Sequence, residues 1–481
     1  MAIKSMFRTT LRALFLALAQ AALPHEAAAA AHLYTGLTLI DPVRETSTPN
    51  AYILVAEGRI AAAGTGAPPS SPKPDRVIEL PGRYALPGFV DAHAHITGAP
   101  PEFKVDGGKV SITMTSDDKL TQFSGRIALA FGITTVRNPG GDPEANARYD
   151  RMIASGKWIG PEAVHAGSVI EPPPFGGASF AYPRTEAQWQ AEAARQAGLG
   201  MRYFKLYTDL SEEELATGIR VAHQHGMKAI AHLNKVSWAR AAELGIDGLE
   251  HALPTSPDLL EPAQRAQYLA ELGPDSKFMY RWFEHAHYDG PLMRHLVDLL
   301  AQKRVVTNMT FFVNDLVYNV DDPDLGLPDM EIYRRYSYPG TLEAATKQLR
   351  ASNAGWTPED YTRARAVMPK VLEFGAILYR AGVPMMIGTD GTGGGPCYSH
   401  ELALHQRAGI PNWAILRMAT SGATKLLGIG NRTGRIEPGL EADVVFLDAD
   451  PVADVANAAK VHGVLDNGRF HLFTELTGDS K

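Results

Sequence analysis

Cys397 is the single cysteine among 481 residues. An intrachain disulfide is thereby excluded, as is a lipid-bearing N-terminal cysteine, so stability must come from core packing. Runs of one charge sign are missing too: the net charge of -7 is spread along the chain with no basic stripe. That argues against a nucleic-acid partner. Past the first thirty or so residues, no stretch is long and apolar enough to span a bilayer. The N-terminus itself is different. Lys4, Arg8 and Arg12 lead into an apolar run over 13–19, and the small-residue run from Ala27 to Ala31 offers an Ala-x-Ala cleavage point. Residues 1–30 therefore read as a secretory signal peptide, too short to be a stable membrane anchor and interrupted by Gln20, His25 and Glu26. The expected location of the mature chain is periplasmic or secreted.

What is present fits a globular protein with a large core, at 45% apolar and 21% charged residues. Short strands are expected at 32–40, 51–55, 59–63 and 77–80, separated by Glu57-Gly58 and a Pro-rich stretch over 67–74. The same texture returns at 443–447, 461–465 and 469–473, where Asn467-Gly468 is a strong hairpin turn. Neither end has enough strands to bury a face alone, so residues 31–84 and 434–481 predict one composite β-sandwich. Between them, over 85–433, short apolar strands alternate with helical patterns. The strands are expected at 84–90, 133–137, 163–168, 203–206, 229–232, 248–251, 305–309 and 384–388. Eight such units predict an α/β fold, a closed (β/α)8 TIM-type barrel.

In such a barrel the carboxyl ends of the strands converge on one face. Reading those ends gives His93 and His95, Arg137, Lys205, His232, His251 and Asp390. Four histidines and an aspartate at one barrel mouth form a metal-ligand set. The His-x-His spacing is weak by itself, because the chain also has His223-Gln-His225 and His285-Ala-His287. The first of these lies at the end of a helix opened by a Ser211–Glu214 capping box and closed by Gly226. The second lies in a polar stretch before Asp289-Gly290. Residues 310–355, with Tyr318, Tyr333, Tyr336 and Tyr338, read as a long loop forming a lid or substrate wall. A helix capped by Thr357, with Pro358 first, is expected to follow and run toward Ala381.

The stretches Leu86-Pro-Gly-Phe-Val-Asp-Ala-His-Ala-His95, Gly132-Ile-Thr-Thr-Val-Arg137, Phe204-Lys205, Ala231-His232, Gly248-Leu-Glu-His251, Gly388-Thr-Asp390 and Thr433-Gly-Arg-Ile-Glu-Pro-Gly-Leu-Glu-Ala-Asp443 resemble the amidohydrolase superfamily of metal-dependent hydrolases, in particular its imidazolonepropionase-like and dipeptidase-like members. The resemblance implies two divalent cations, zinc being the expected metal. One would be held by His93, His95 and Asp390, the other by His232 and His251. It further implies that Lys205 reacts with CO2 to give a carbamate bridging both, since an ammonium has no lone pair to offer a cation. The implied reaction is hydrolysis of an amide or peptide-like C–N bond by a metal-bridging hydroxide, with Asp390 as general acid and base. Lactonase, esterase or phosphotriesterase chemistry on the same site is the alternative, as is a mononuclear deaminase. Asn138 stands where many relatives carry an aspartate, which puts the orientation of Arg137 in doubt. By adjacency to the ligands, Arg137, Tyr207, Asn234, Lys235 and Asn308 are expected to touch a small-molecule substrate. A homo-oligomer is left open.

Overall fold

A computed structural model describes residues 31–100, 102–106, 109–273, 275–392 and 395–479. The expected leader over 1–30 lies outside the described residues. Both termini of the described chain meet in one eight-stranded sheet. Its order is Arg469–Leu472, Val461–Asp466, Val444–Leu447, Tyr84–Pro87, His32–Asp41, Thr46–Ala56 and Arg59–Thr65, with Arg76–Glu79 added against His32–Asp41. The join between the termini is antiparallel, Val444 lying opposite Pro87 and Leu447 opposite Tyr84.

The joining strand serves two cores through the period-two alternation of extended chain. Val444 and Phe446 pack with Tyr34, Leu37, Ile53, Val55 and Ala85, while Val445 and Leu447 pack into the main core with Leu86 and Ile133. Where one strand over 84–90 is expected, the chain forms two, Tyr84–Pro87 in this sheet and Phe89–Asp91 beyond it. The break falls at Gly88. Its N–H donates to Asp443 O at 3.0 Å, and a Cβ there would sit 2.1 Å from Thr134 Oγ1. Only glycine lets the backbone pass so close.

Phe89–Asp91, Ile133–Asn138 and Glu162–His165 form one set of parallel strands. Tyr203–Leu206, Lys228–Ala231, Gly248–Glu250, Val306–Asn308 and Met385–Met386 are consecutive in a second. Helices alternate with them, including Asp118–Ala130, Pro143–Ala154, Glu212–Gln224, Trp238–Leu244 and Pro291–Lys303. The two sets touch at both ends. Ala166 bridges Tyr203 on one side; on the other, Ala92 N donates to Ile387 O at 2.7 Å and Ala94 bridges Gly391. Val90, Ala92, Val164, Ala166, Tyr203, Ile230 and Met386 pack together as an apolar floor.

Residues 310–355 are not a loop. They form the helices Phe311–Tyr318, Met330–Tyr336 and Thr341–Ser352. The prolines of this stretch, Pro323, Pro328 and Pro339, fall between these helices. Tyr318 is fully buried and its hydroxyl donates to Met279 O at 2.7 Å, so it belongs to the core and not to a substrate wall. Thr357 caps the helix Pro358–Arg380 as expected. Among the described residues, no helix is long and apolar enough to cross a membrane.

Candidate metal centre

Two strand ends carry the first ligands, and one buried carboxylate stitches them together. Asp91 accepts from His93 N at 3.1 Å, from Thr389 N at 3.1 Å and from Thr389 Oγ1 at 2.7 Å. Burial lifts its own pKa to about 6 despite these bonds. Asp390 N then donates to His93 O at 2.7 Å, and His95 N to Gly391 O at 2.8 Å. The result brings Asp390 Oδ1 within 3.1 Å of His93 Nε2 and 3.2 Å of His95 Nε2. His251 follows the strand Gly248–Glu250, its ring 4.7 Å from that of His93 and 4.5 Å from that of His232. Gly388 leaves the necessary room, since a Cβ there would lie 2.6 Å from His93 Cβ and 2.5 Å from Asn308 Nδ2.

Three residues around the site hold left-handed backbone without being glycine: His251 at φ 67°, Asp390 at φ 60° and Thr310 at φ 43°. Such conformations persist only where the surroundings over-determine them. The hydrogen bond of His251 Nδ1 with Thr310 Oγ1, at 2.9 Å, joins two of the three.

The donor set suits a divalent cation. Ligand atoms of His93, His251 and Asp390 lie within 4.8 Å of one another. Beside them stand buried polar atoms that no protein group satisfies, namely Lys205 Nζ and both ring nitrogens of His232. Buried polar atoms are ordinarily paired, so these point to something held between them. Phe204 and Leu206 pack into the main core, and Lys205 between them takes the opposite side. Its Nζ lies 5.9 Å from the centroid of the Tyr207 ring. Burial pushes the Lys205 ammonium down to about 8 and the His232 imidazolium down to about 3. Burial, with His232 alongside, holds His251 well below the usual histidine value as well. Asp390 goes the opposite way: burial opposes its charge, yet the neighbouring His93 and His251 keep it well below the usual carboxylate range.

The expected substrate residues divide. Tyr207 is half-buried with its ring edge-on to His232 at 5.0 Å. Asn308 is 1% exposed and both its amide atoms are unpartnered. Asn234 accepts from Thr255 Oγ1 at 3.0 Å, and Lys235 is exposed. Arg137 is 1% exposed and points into protein: Nε donates to Ala92 O at 2.6 Å and Nη2 to Glu250 Oε2 at 2.6 Å. These bonds turn its guanidinium toward Glu250 and the backbone beside His93. Asn138 leaves Arg137 alone. Its amide holds Gly140, whose carbonyl takes His95 Nδ1 at 2.9 Å. Neither of the other His-x-His pairs joins the centre; His223 pairs with Asp247 and His225 with Gln190, while His285 lies 3.5 Å from Glu271.

Sequence reasoning missed Asp91, Thr389, Thr310 and above all Glu250, which takes His93 Nδ1 at 2.7 Å. One signal was available: an acid closing an otherwise apolar, buried strand, Gly248-Leu249-Glu250. A buried acid needs a cationic or donor partner.

A family model described as the amidohydrolase family matches residues 330–470. The chain is 27% identical over 296 residues to an imidazolonepropionase of Micrococcus luteus, across 48% of this chain and 72% of that protein. It is 27% identical over 135 residues to an ochratoxinase of Aspergillus niger, a match spanning 26% of this chain and 28% of the relative. A solved structure of a Xaa-Pro dipeptidase with methionine bound in its active site superposes with a TM-score of 0.65. It covers 92% of this chain and all of that one at 18% identity, which is a likeness of fold.

Proposed function

We propose that the chain is an enzyme of the amidohydrolase superfamily, a metal-dependent hydrolase of carbon–nitrogen bonds in a linear or cyclic amide. The observation that carries this reading is Lys205, a buried amine with no hydrogen-bonding partner, beside a His232 whose two ring nitrogens are equally free. A structural lysine at such depth would be paired with an acid. In this reading the neutral amine of Lys205 adds to CO2, forming an N–C bond and releasing one proton, and offers two carbamate oxygens in place of a cation. His93, His95 and Asp390 would hold one divalent ion, His232 and His251 a second, with the carbamate between them. A mononuclear centre would leave Lys205 without a ligating role.

When bound, such cations, zinc being the expected one, polarise a carbonyl and lower the pKa of water from about 15.7 to near 7. The rest falls to the chain. Asp390, with 23% of its side chain exposed, is accessible from the mouth. It accepts the proton of the attacking water and delivers it to the leaving nitrogen, which departs neutral. Tyr207, Asn234 and Asn308 supply the first contacts to substrate. The bridges Ala166–Tyr203 and Ala94–Gly391 support a closed eight-stranded barrel over 85–433. The shared core of Tyr34, Phe446 and Leu465 supports a composite sandwich of the two end segments.

Two measurements test the reading. Chelation should abolish turnover on a panel of N-acyl amino acids, dipeptides and cyclic amides, and Zn2+ should restore it. Lys205→Ala should bind less metal and lose most activity, with partial rescue by short carboxylic acids. Full activity and full metal content in that variant would remove the bridging role.

A further inference from the structure

Behind His93, on the side away from Asp390, three strands contribute a buried relay. Glu250 Oε2 takes His93 Nδ1 at 2.7 Å and Arg137 Nη2 at 2.6 Å. Arg137 Nε in turn donates to Ala92 O at 2.6 Å, the carbonyl of the residue before His93. His93, Arg137 and Glu250 are each 1% exposed. Arg137 thus grips the backbone beside His93 and also the carboxylate that holds its ring. A carboxylate is an acceptor only, so the proton of the neutral imidazole must sit on Nδ1. Its lone pair then lies on Nε2, which is 3.1 Å from Asp390 Oδ1 at the centre.

The other imidazoles are held differently. His95 Nδ1 meets a neutral carbonyl, Gly140 O, and His251 Nδ1 meets a neutral hydroxyl, Thr310 Oγ1, both at 2.9 Å. His232 has no partner at either nitrogen. Of the four, His93 alone is hydrogen-bonded on its far nitrogen by an anion. An anionic partner fixes the tautomer and raises the donor strength of a ligating imidazole.

We propose that Glu250, anchored by Arg137, is a positioning residue that makes His93 the strongest imidazole donor of the centre. The proposal rests on the reading of the site as a cation centre. Arg137, expected from sequence to touch substrate, acts instead through Glu250. The pair is obligate: either partner alone would be an uncompensated buried charge.

The test compares the full chain with Glu250→Gln, Glu250→Asp and the double variant Glu250→Gln with Arg137→Met. The double variant removes both buried charges together, so that a folded protein is available even if Glu250→Gln alone is unstable. Each is stripped of metal, checked for native near-UV circular dichroism, and titrated with Zn2+ against a competing chelator and with Co2+ by visible absorption. Glu250→Gln and the double variant should bind Zn2+ about 10- to 100-fold more weakly, with a shifted Co2+ spectrum, and Glu250→Asp should recover part of the affinity. Parental affinity and an unchanged Co2+ spectrum in a folded Gln variant would overturn the proposal, leaving a purely structural ion pair. A parent that takes up no divalent cation would instead overturn the reading of the site, which is a distinguishable result.

Discussion

Asn138 shows what a single amide can hold. Its Nδ2 donates to Asn146 Oδ1 at 3.0 Å and to Thr97 Oγ1 at 3.2 Å, while its Oδ1 accepts from Gly140 N at 3.3 Å. Asn146 Oδ1 also accepts from Thr97 Oγ1, at 2.5 Å. An aspartate at 138 would turn an oxygen toward Asn146 Oδ1 and strand buried acceptors, each costing about 1–3 kcal/mol. Asn138→Asp should therefore lower stability by an amount in that range, read from urea unfolding. At this scale the sequence was informative about candidate ligands and silent about their supports. His93, His95, Lys205, His232, His251 and Asp390 could be picked out as candidates because each sits at or just past the carboxyl end of a strand, and strand ends are visible as apolar runs that stop. The partners could not be read in the same way. Glu250 is 157 residues from His93, and Thr310 is 59 from His251. Only the folded arrangement of the parallel strands brings them together.

Elements were legible where a local rule fixes them. Ser211 and Glu214 form the expected capping box, and Thr357 with Asp360 forms another at the start of Pro358–Arg380. Two of the three helices over 310–355 lack the local signal that would announce them: Thr310 and Gly340 make no cap hydrogen bond, and only Asp329 caps its helix, accepting from Ile332 N at 3.3 Å. They are held by what they pack on, and Glu401 supplies a cap from far away, accepting from Phe311 N and Phe312 N at 3.0 and 2.7 Å. The Thr357 cap yields a pH prediction. Burial works against the charge on Asp360, but donation from Tyr280 Oη, from Thr357 N and Oγ1 and from Lys277 Nζ more than offsets it, so its pKa lies below the ordinary 3.8. A carboxyl whose folded pKa is depressed adds stability above its unfolded pKa and loses it as pH falls through the folded one. Between pH 7 and about pH 5 this contribution should be constant, and below about pH 4 it should fade. Asp360→Asn should cost about 1–2 kcal/mol at neutral pH and should flatten the acid limb of stability against pH, followed by thermal unfolding from pH 3 to 7.

The whole molecule is tied together by a strand that belongs to two cores at once. That the two ends of the chain cooperate could be inferred from strand counts, since neither end could bury a face alone. Where they join could not, because the strand over 84–90 was read as one element and Gly88 divides it. Phe446 lies at the centre of the join: fully buried, stacked on Tyr34 with ring centroids 5.5 Å apart, and edge-on to Phe470 at 5.7 Å. The flanking Val445 and Leu447 face the core that also packs Phe89 and Ile133, beside the strands carrying the candidate metal ligands. Loss of the end sheet would therefore pull apart the wall against which Phe89–Asp91 is laid. Phe446→Ala should cost about 3–5 kcal/mol, the usual penalty for emptying a buried phenylalanine site. Because the strand is shared, the variant should still unfold in one transition, with fluorescence and metal release following the same denaturant curve. Two separated transitions, with any added metal retained through the first, would show that the end sheet and the strands of the candidate metal centre are independent folding units.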